Sequence, residues 1–151
     1  MSCPETEHFV NNWNRIHKQT ARMLKSASDE QLDFQPKEGM YSMRQLISHI
    51  PEAELGLVRT ALAGSTQKVK FDAAGKSLGE IVAAFDAQHD ELLQEVSKLT
   101  LDQLNEEVEF YGRKMRRIVL LWGMTEHEIH HRGQLFTYYR LAGIEPPNLY
   151  G

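Results

Sequence analysis

Four long stretches of the chain place apolar residues at every third or fourth position, the spacing that puts them on one face of an α-helix. In the first stretch the apolar stripe passes through Phe9, Trp13 and Ile16. The stretches run from about 5 to 25, 43 to 62, 78 to 99, and 115 to 141 or 142. No segment alternates convincingly as a half-buried strand does, although residues 108–111 favour a short extended piece. The pattern predicts an all-α four-helix bundle, with residues 1–151 as a single domain.

Residues that stabilise helix ends stand where these stretches begin and end. Ser42 and Ser77 each precede a stretch, and Gln45 and Glu80 follow them by three residues, which is the capping-box arrangement for the free N–H groups of a helix start. Gly143, with two prolines shortly after it, is typical of a helix C-terminus. Three of the four predicted helices therefore have a local signal at one end.

A weak internal repeat with an offset of 72 residues favours the same bundle. Its members Ser28, Gln31, Leu32, Met43, Arg44 and Ile47 recur as Thr100, Gln103, Leu104, Met115, Arg116 and Val119. Each half of the chain then consists of a long helix, a short capped turn that begins at Ser28 or Thr100, and another long helix. Two such helical pairs suit a four-helix bundle.

Composition narrows the class of protein. The hydrophobic fraction of 41% and the charged fraction of 25% are ordinary for a globular chain. The longest apolar run, residues 118–122, is far shorter than the ~20 residues that cross a bilayer, so we expect neither a membrane anchor nor a secretion signal. Cys3 is the only cysteine, which excludes an internal disulfide and indicates a reducing compartment, the cytoplasm.

The net charge of -4 argues against a nucleic-acid partner, because surfaces that bind phosphates usually carry a basic excess. The basic cluster at residues 113–117 is the exception. It stands beside Glu106, Glu107 and Glu109, and we interpret it as a solvated helix start rather than as a nucleic-acid contact.

The histidines are the candidate chemistry. His127 and His131, four residues apart in the fourth predicted helix, lie on one face with about 5–6 Å between their Cβ atoms, so both imidazoles can reach one metal ion. On a helical wheel we assign them to the mainly apolar, inward face, which continues through Gly123, Met124, Gln134, Leu135, Tyr138 and Leu141. Inward histidines also occur as hydrogen-bonded core residues, and a metal is the other way to satisfy their nitrogens. His49, inside an apolar run of the second helix, favours the metal and completes a three-histidine set.

We assign the other histidines to other roles. His130 points to one side of the pair and is expected to support the site at most. His8, His17 and His89 have polar neighbours in the sequence, and we predict that they lie on the surface.

Taken literally, residues 127–131 match HExxH, the helix motif of zinc proteases in which the glutamate is the general base. We reject a protease, because no histidine follows His131 and the chain has little room for the strand edge and cleft that a protease needs. Glu128 is about 100° from His127 around the helix and need not face the metal.

A length argument predicts the directions of the helices. At 1.5 Å per residue, His49 lies about 10 Å from the start of helix two, whereas His127 and His131 lie about 18 and 24 Å from the start of helix four. The three levels agree only if helices two and four run antiparallel. Residues 63–76 can span roughly 45 Å when extended, enough to cross the whole bundle. We therefore predict up-down-down-up order with a long crossover between helices two and three.

Five motifs are spread over nearly the whole chain. They are Ser28-Asp29-Glu30-Gln31-Leu32, Gly39-Met40-Tyr41-Ser42, Arg44-Gln45-Leu46-Ile47-Ser48-His49, Glu126-His127 to His131-Arg132-Gly133-Gln134, and Gly143-Ile144-Glu145-Pro146-Pro147. In these motifs the chain resembles the DinB/YfiT-like family of metalloenzymes. One histidine in helix two combined with HxxxHRGQ in helix four is the most specific part. Tyr41 stands where many relatives have tryptophan, so the resemblance does not predict how the side chains near the site pack.

The resemblance implies an up-down-down-up bundle and one divalent ion, zinc or nickel, bound by His49, His127 and His131. Some relatives transfer low-molecular-weight thiols such as bacillithiol, mycothiol or glutathione to or from small electrophiles. By analogy, the metal would lower the pKa of a bound thiol or water at its open coordination position. The resemblance thus implies a thiol S-transferase or a hydrolase with a small-molecule substrate. A non-catalytic metal-binding or stress-response interaction protein is the alternative.

Relatives also often form dimers. Phe136 and Tyr139, which we place on the side of helix four away from the histidines, would leave apolar surface on the outside of the bundle. We therefore expect a homodimer.

Overall fold

Four long helices form the framework of the molecule, whose computed structural model describes residues 2–150. The elements are α1 (Pro4–Leu24), a 3-10 helix (Asp29–Gln31), α2 (Met43–Ala63), α3 (Leu78–Val96), α4 (Leu101–Asn105), β1 (Glu107–Phe110), β2 (Arg113–Arg116) and α5 (Arg117–Leu141). Helices α1, α2, α3 and α5 confirm the predicted bundle. Within residues 2–150, no helix combines the length and the apolar character that crossing a membrane requires.

The predicted capping boxes form at the starts of α2 and α3. At α2 the backbone N–H of Gln45 donates to Ser42 Oγ at 3.2 Å, and Gln45 Oε1 accepts from the Ser42 N–H at 2.8 Å. Thr100 and Gln103 make the same pair of bonds at α4. The two short turns of the internal repeat are thus present, as the 3-10 helix and as α4.

The prediction of a helix from residue 115 is wrong at its start, because residues 107–116 form a β-hairpin. Strand β1 pairs antiparallel with β2, and Val108 lies opposite Met115. The extended piece predicted at 108–111 is thus part of a hairpin. Tyr111 and Gly112 at its tip both have positive φ, 47° and 80°, as a tight two-residue turn requires. Tyr111 is an uncommon residue for such a turn, which is why the sequence signal was weak.

Arg117, the first residue of α5, is buried, so the interpretation of residues 113–117 as a solvated helix start is wrong at this position. Its guanidinium donates to the carbonyls of Ala61 and Gln103 and pairs with Glu106. One side chain therefore ties the start of α5 to the end of α2 and to α4.

Hydrogen bonds between helix ends confirm the up-down-down-up order. Tyr138 Oη, near the end of α5, donates to the carbonyl of Tyr41 just before α2, so these two helices run antiparallel. Thr6 Oγ1, near the start of α1, donates to the carbonyl of Leu99 after α3, so α1 and α3 are antiparallel as well. Helices α1 and α5 run parallel, since Tyr139 Oη donates to the carbonyl of Met23 at the end of α1.

The crossover between α2 and α3 runs back along the whole length of α2, as predicted. Three hydrogen bonds mark its path, from Gln67 N to Thr60 Oγ1, from Phe71 N to Glu52 Oε2, and from Arg44 Nη1 to the carbonyl of Lys76. The crossover therefore forms a wall beside α2.

Two apolar clusters fill the bundle, one toward each end. One contains side chains such as Leu46, Phe85 and Leu135, and the other contains side chains such as Trp13 and Leu121. Between them lies a layer of buried polar residues, which we call the central polar layer: His17, Thr20, Glu54, His89, Glu128 and Arg132. Every long helix contributes to this layer.

The prediction that His17 and His89 lie on the surface is wrong. They are 4% and 1% exposed, whereas His8 is exposed as predicted. The polar neighbours of His17 lie on other faces of α1, while His17 itself follows Trp13 by one helical turn on the buried stripe. Helical phase, rather than the polarity of adjacent residues, was the signal for burial.

Tyr139 is fully buried, and Phe136 packs partly against the core. Neither leaves the apolar surface on the outside of α5 from which we expected a homodimer. The homodimer stays a prediction without that support.

Candidate metal centre

Helices α2 and α5 bring the three predicted ligands together. His49 lies in the second turn of α2, and His127 and His131 lie one turn apart in the antiparallel α5. The Nε2 atom of His127 lies 3.2 Å from Nε2 of His49 and 3.0 Å from Nε2 of His131. Each of the three side chains is half-buried.

This geometry fits a divalent ion. Bonds of 2.0–2.1 Å from a tetrahedral ion place two ligand nitrogens about 3.3 Å apart, close to the separations of the His127 nitrogen from its neighbours. Nδ1 of His131 donates to Gln134 Oε1 at 2.6 Å. The Nε2 atom of His131 therefore carries a lone pair that faces the other two histidines. A single proton on His127 cannot serve both neighbouring nitrogens, whereas one cation can.

The electrostatics favour the neutral forms of His127 and His49, and metal binding requires neutral imidazoles. Burial, followed by repulsion from His131, His49 and His130, lowers the pKa of His127 from 6.5 to about 4. Burial and the neighbouring His131 also lower the pKa of His49. At neutral pH His127 and His49 can therefore each offer one nitrogen lone pair to an ion.

His130 does not join the cluster. It is exposed, and its ring lies beside that of His131 with 4.9 Å between the ring centroids. We expected His130 to have at most a supporting role, and its position agrees with that expectation. Tyr41 lies on the other side of the cluster, with its ring centroid 5.8 Å from that of His49.

The assignment of the inward face of α5 needs correction. Met124, Leu135 and Tyr138 are buried as predicted, whereas Gln134 and Leu141 are exposed. Glu128 and Arg132, which the prediction left out, complete the buried stripe. The histidine pair therefore lies at the border between core and surface. Glu128 points into the core, where burial raises the pKa of its carboxyl group to about 8.

A groove opens beside the histidines, with a volume of about 1250 Å³. Its walls are α2, α5, the crossover and the hairpin. The lining is mainly apolar, with charged side chains of both signs, and consists of His49, Glu52, Ala53, Gly56, Leu57, Gln67, Lys68, Val69, Phe110, Tyr111, Arg113, Met115, Val119, Leu120, Trp122, Gly123, Glu126 and His127. Of this set, only His49 and His127 were predicted from the sequence as site residues. The other lining residues come together only through the hairpin and the path of the crossover.

Gln134→Ala is expected to lower the affinity for the ion by roughly tenfold to a hundredfold, because the amide then no longer fixes the ring of His131. Competition with a chromophoric chelator measures the change. Thr137→Ala, an exposed substitution on the same helix, is the matched control and should leave the affinity unchanged. Equal affinities for both variants would mean that His131 does not depend on this hydrogen bond.

Comparisons with known proteins agree with the bundle. The family model described as DinB family matches residues 1–151. Among curated proteins, the chain is 24% identical over 147 residues to the uncharacterized protein YrdA of Bacillus subtilis (strain 168), covering 96% of this chain and 87% of YrdA.

Solved structures share the fold. A DinB-like protein of Bacillus cereus ATCC 10987 matches with a TM-score of 0.79 and 25% identity, over 95% of this chain and 97% of that chain. The DinB-like protein YjoA of Bacillus subtilis matches with a TM-score of 0.77 and 26% identity, over 94% and 96% of the two chains. YfiT of Bacillus subtilis, described as a probable metal-dependent hydrolase with an unusual four-helix bundle topology, matches with a TM-score of 0.76 and 14% identity, over 96% and 91%.

Proposed function

The chain belongs to the DinB family, and from this premise we propose that it is a metal-dependent enzyme acting on a small molecule bound in the groove. His49, His127 and His131 hold one divalent ion, zinc or nickel. The observation that carries the proposal is the convergence of three imidazole nitrogens at the wall of a large, mainly apolar groove.

The donor set favours catalysis over a structural role. Three protein ligands leave a coordination position open, whereas structural zinc sites are closed by four. Imidazole ligands in their neutral form carry no charge that offsets the charge of the ion, and an ion held there lowers the pKa of a thiol or water beside it. Two of the ligands, His49 and His127, line the groove, so the open position is accessible to a substrate lying there.

For the reaction, we propose the transfer of a low-molecular-weight thiol to a small electrophile. The thiol sulfur forms a bond to the electrophilic carbon, the leaving group departs with its electron pair, and the thiol proton passes to solvent. Lys68 and Arg113 in the groove suit the carboxylates of such thiols, and the apolar surface of Phe110 and Trp122 suits an apolar electrophile.

Adding a low-molecular-weight thiol to the cobalt-substituted protein is expected to produce a sulfur-to-cobalt charge-transfer band. The reason is that a thiolate is a good ligand for the open position of a three-histidine site. Absorption spectroscopy during a glutathione titration measures the band, and His127→Ala protein is the control that should show none. An unchanged spectrum of the cobalt protein would overturn the proposed thiol chemistry.

Hydrolysis is the second candidate, since YfiT, which shares the fold, is described as a probable metal-dependent hydrolase. Water then takes the place of the thiol. A cobalt protein that does not bind thiols but cleaves activated esters or amides would favour hydrolysis. Metal binding without thiol transfer or hydrolysis would favour the non-catalytic alternative.

A further inference from the structure

A second cluster of metal-binding side chains lies in the central polar layer, away from the groove. Each long helix supplies one member: His17 from α1, Glu54 from α2, His89 from α3 and Glu128 from α5. All four are at most 4% exposed. One ligand atom from each of His17, Glu54 and His89 lies within 4.8 Å of the other two.

Hydrogen bonds at the edge of the layer orient the two imidazoles. Nε2 of His17 donates to Asp86 Oδ1 at 2.7 Å, and Nε2 of His89 donates to Asn14 Oδ1 at 3.2 Å. Each ring thus uses its one N–H outward, and each Nδ1 keeps a lone pair inside the bundle. The rings stack almost parallel, with an angle of 5° and 3.8 Å between their centroids, so their in-plane lone pairs run parallel and one ring must turn for both nitrogens to reach one ion.

The Glu54 carboxylate adds a third acceptor to this pair. Its oxygens accept from Trp13 Nε1 at 3.3 Å and from Gln88 Nε2 at 3.2 Å. Its Oε2 also lies 3.3 Å from Nδ1 of His89, although neither atom carries a proton when His89 donates to Asn14. In this tautomer a carboxylate oxygen faces an imidazole lone pair, and a metal ion between them would pair with both.

The unsatisfied atoms of the interior gather at the same place. Among residues 2–150, the buried side-chain nitrogen and oxygen atoms without a hydrogen-bond partner are Nδ1 of His17 and both carboxyl oxygens of Glu128. Buried polar atoms are almost always paired, because leaving one unpaired costs free energy. Three such atoms in one layer therefore indicate a ligand that pairs with them.

We propose that the central polar layer holds a second divalent cation, bound by Nδ1 of His17, Nδ1 of His89 and a carboxyl oxygen of Glu54. Binding of the ion favours the ionised form of Glu128, whose carboxylate then helps to offset the charges of the ion and of the buried Arg132 guanidinium. Two imidazoles with carboxylates suit zinc, manganese, iron(II) or cobalt(II). The ion joins all four helices between the two apolar clusters, and its role is structural because the site has no opening to the groove.

The two sites use different residues and can be tested apart. Glu54 follows His49 by five residues, which is about 7.5 Å along α2. Because the layer is closed to solvent, we expect its ion to enter during folding and to exchange slowly afterwards.

The test uses full-length His127→Ala protein, in which the groove site is disabled, refolded from denaturant in the presence of zinc. Elemental analysis after desalting is expected to find one equivalent of zinc per chain, where wild-type protein treated in the same way holds two. Adding Glu54→Gln or His17→Gln to the His127→Ala background should remove the remaining equivalent. His8→Ala, which deletes an exposed histidine of the same helix α1, is the matched control and should keep it.

Circular dichroism reports whether each variant is folded, and His131→Ala is a second background if His127→Ala does not fold. Zinc should raise the Tm of the background protein and leave that of the Glu54→Gln version unchanged. A folded background that holds no zinc after refolding, or a Glu54→Gln version that keeps its full equivalent, would overturn the proposal. The first result would mean that His89 and Glu54 share a proton instead of a metal, the second that the zinc lies outside the central polar layer, and neither would bear on the groove site.

Discussion

Replacing His127 by alanine should abolish tight metal binding at the groove. His127 is the central member of the cluster, with its Nε2 near those of both His49 and His131, so its loss leaves two imidazoles on different helices. The effect should exceed the tenfold to roughly hundredfold loss that removing a supporting partner causes. Equilibrium dialysis of the folded, metal-stripped protein against zinc measures it, because the closed central layer does not load under these conditions.

His49→Ala and His131→Ala should behave like His127→Ala, whereas His130→Ala should retain the metal. His130 is the matched control, since it is a histidine of the same helix whose ring lies beside the cluster but outside it. If His130→Ala lost the metal while His131→Ala kept it, the assignment of ligands on α5 would be wrong.

Trp13→Ala should lower the free energy of unfolding by about 3 to 5 kcal/mol, the usual cost of deleting a large buried aromatic side chain. Trp13 is fully buried, its ring packs edge-on against His89 at 4.7 Å between centroids, and its Nε1 donates to Glu54. Urea unfolding of the metal-free protein, followed by circular dichroism, measures the loss.

Trp13→Phe separates packing from the hydrogen bond. Phenylalanine keeps most of the apolar contact but deprives Glu54 of a donor, so we expect a smaller loss of about 1 to 3 kcal/mol. Losses of similar size for both variants would mean that the hydrogen bond, rather than the packing of the indole, dominates at this position.

Local sequence patterns were sufficient for the helices and for most of their ends. Ser42 with Gln45, and Ser77 with Glu80, satisfy N–H groups only three residues away, so these starts could be predicted without knowledge of the rest of the fold. The pair of histidines in α5 is equally local, because one helical turn brings them together wherever the helix lies.

The order of the helices could also be predicted, although it is a tertiary property. His49 can reach His127 and His131 only if α2 and α5 run antiparallel, so the three-histidine set predicted the directions of these helices. The length of residues 63–76 allowed the crossover. The expected distance between residues far apart in the sequence thus predicted the helix directions without any knowledge of the contacts between the helices. That these histidines bind a metal stays a prediction.

Helical phase indicates the buried side of α1, but only the tertiary structure decided what surrounds each buried side chain. His17 and His89 have polar neighbours in the sequence, yet both lie in the central polar layer, and the buried Arg117 is held by the end of α2 and by α4. The groove likewise exists only because the crossover and the hairpin stand beside α2 and α5. Periodicity and capping depend on residues within a turn or two of one another, whereas burial depends on which elements pack against a given face, and the surroundings of each face are set by the whole chain.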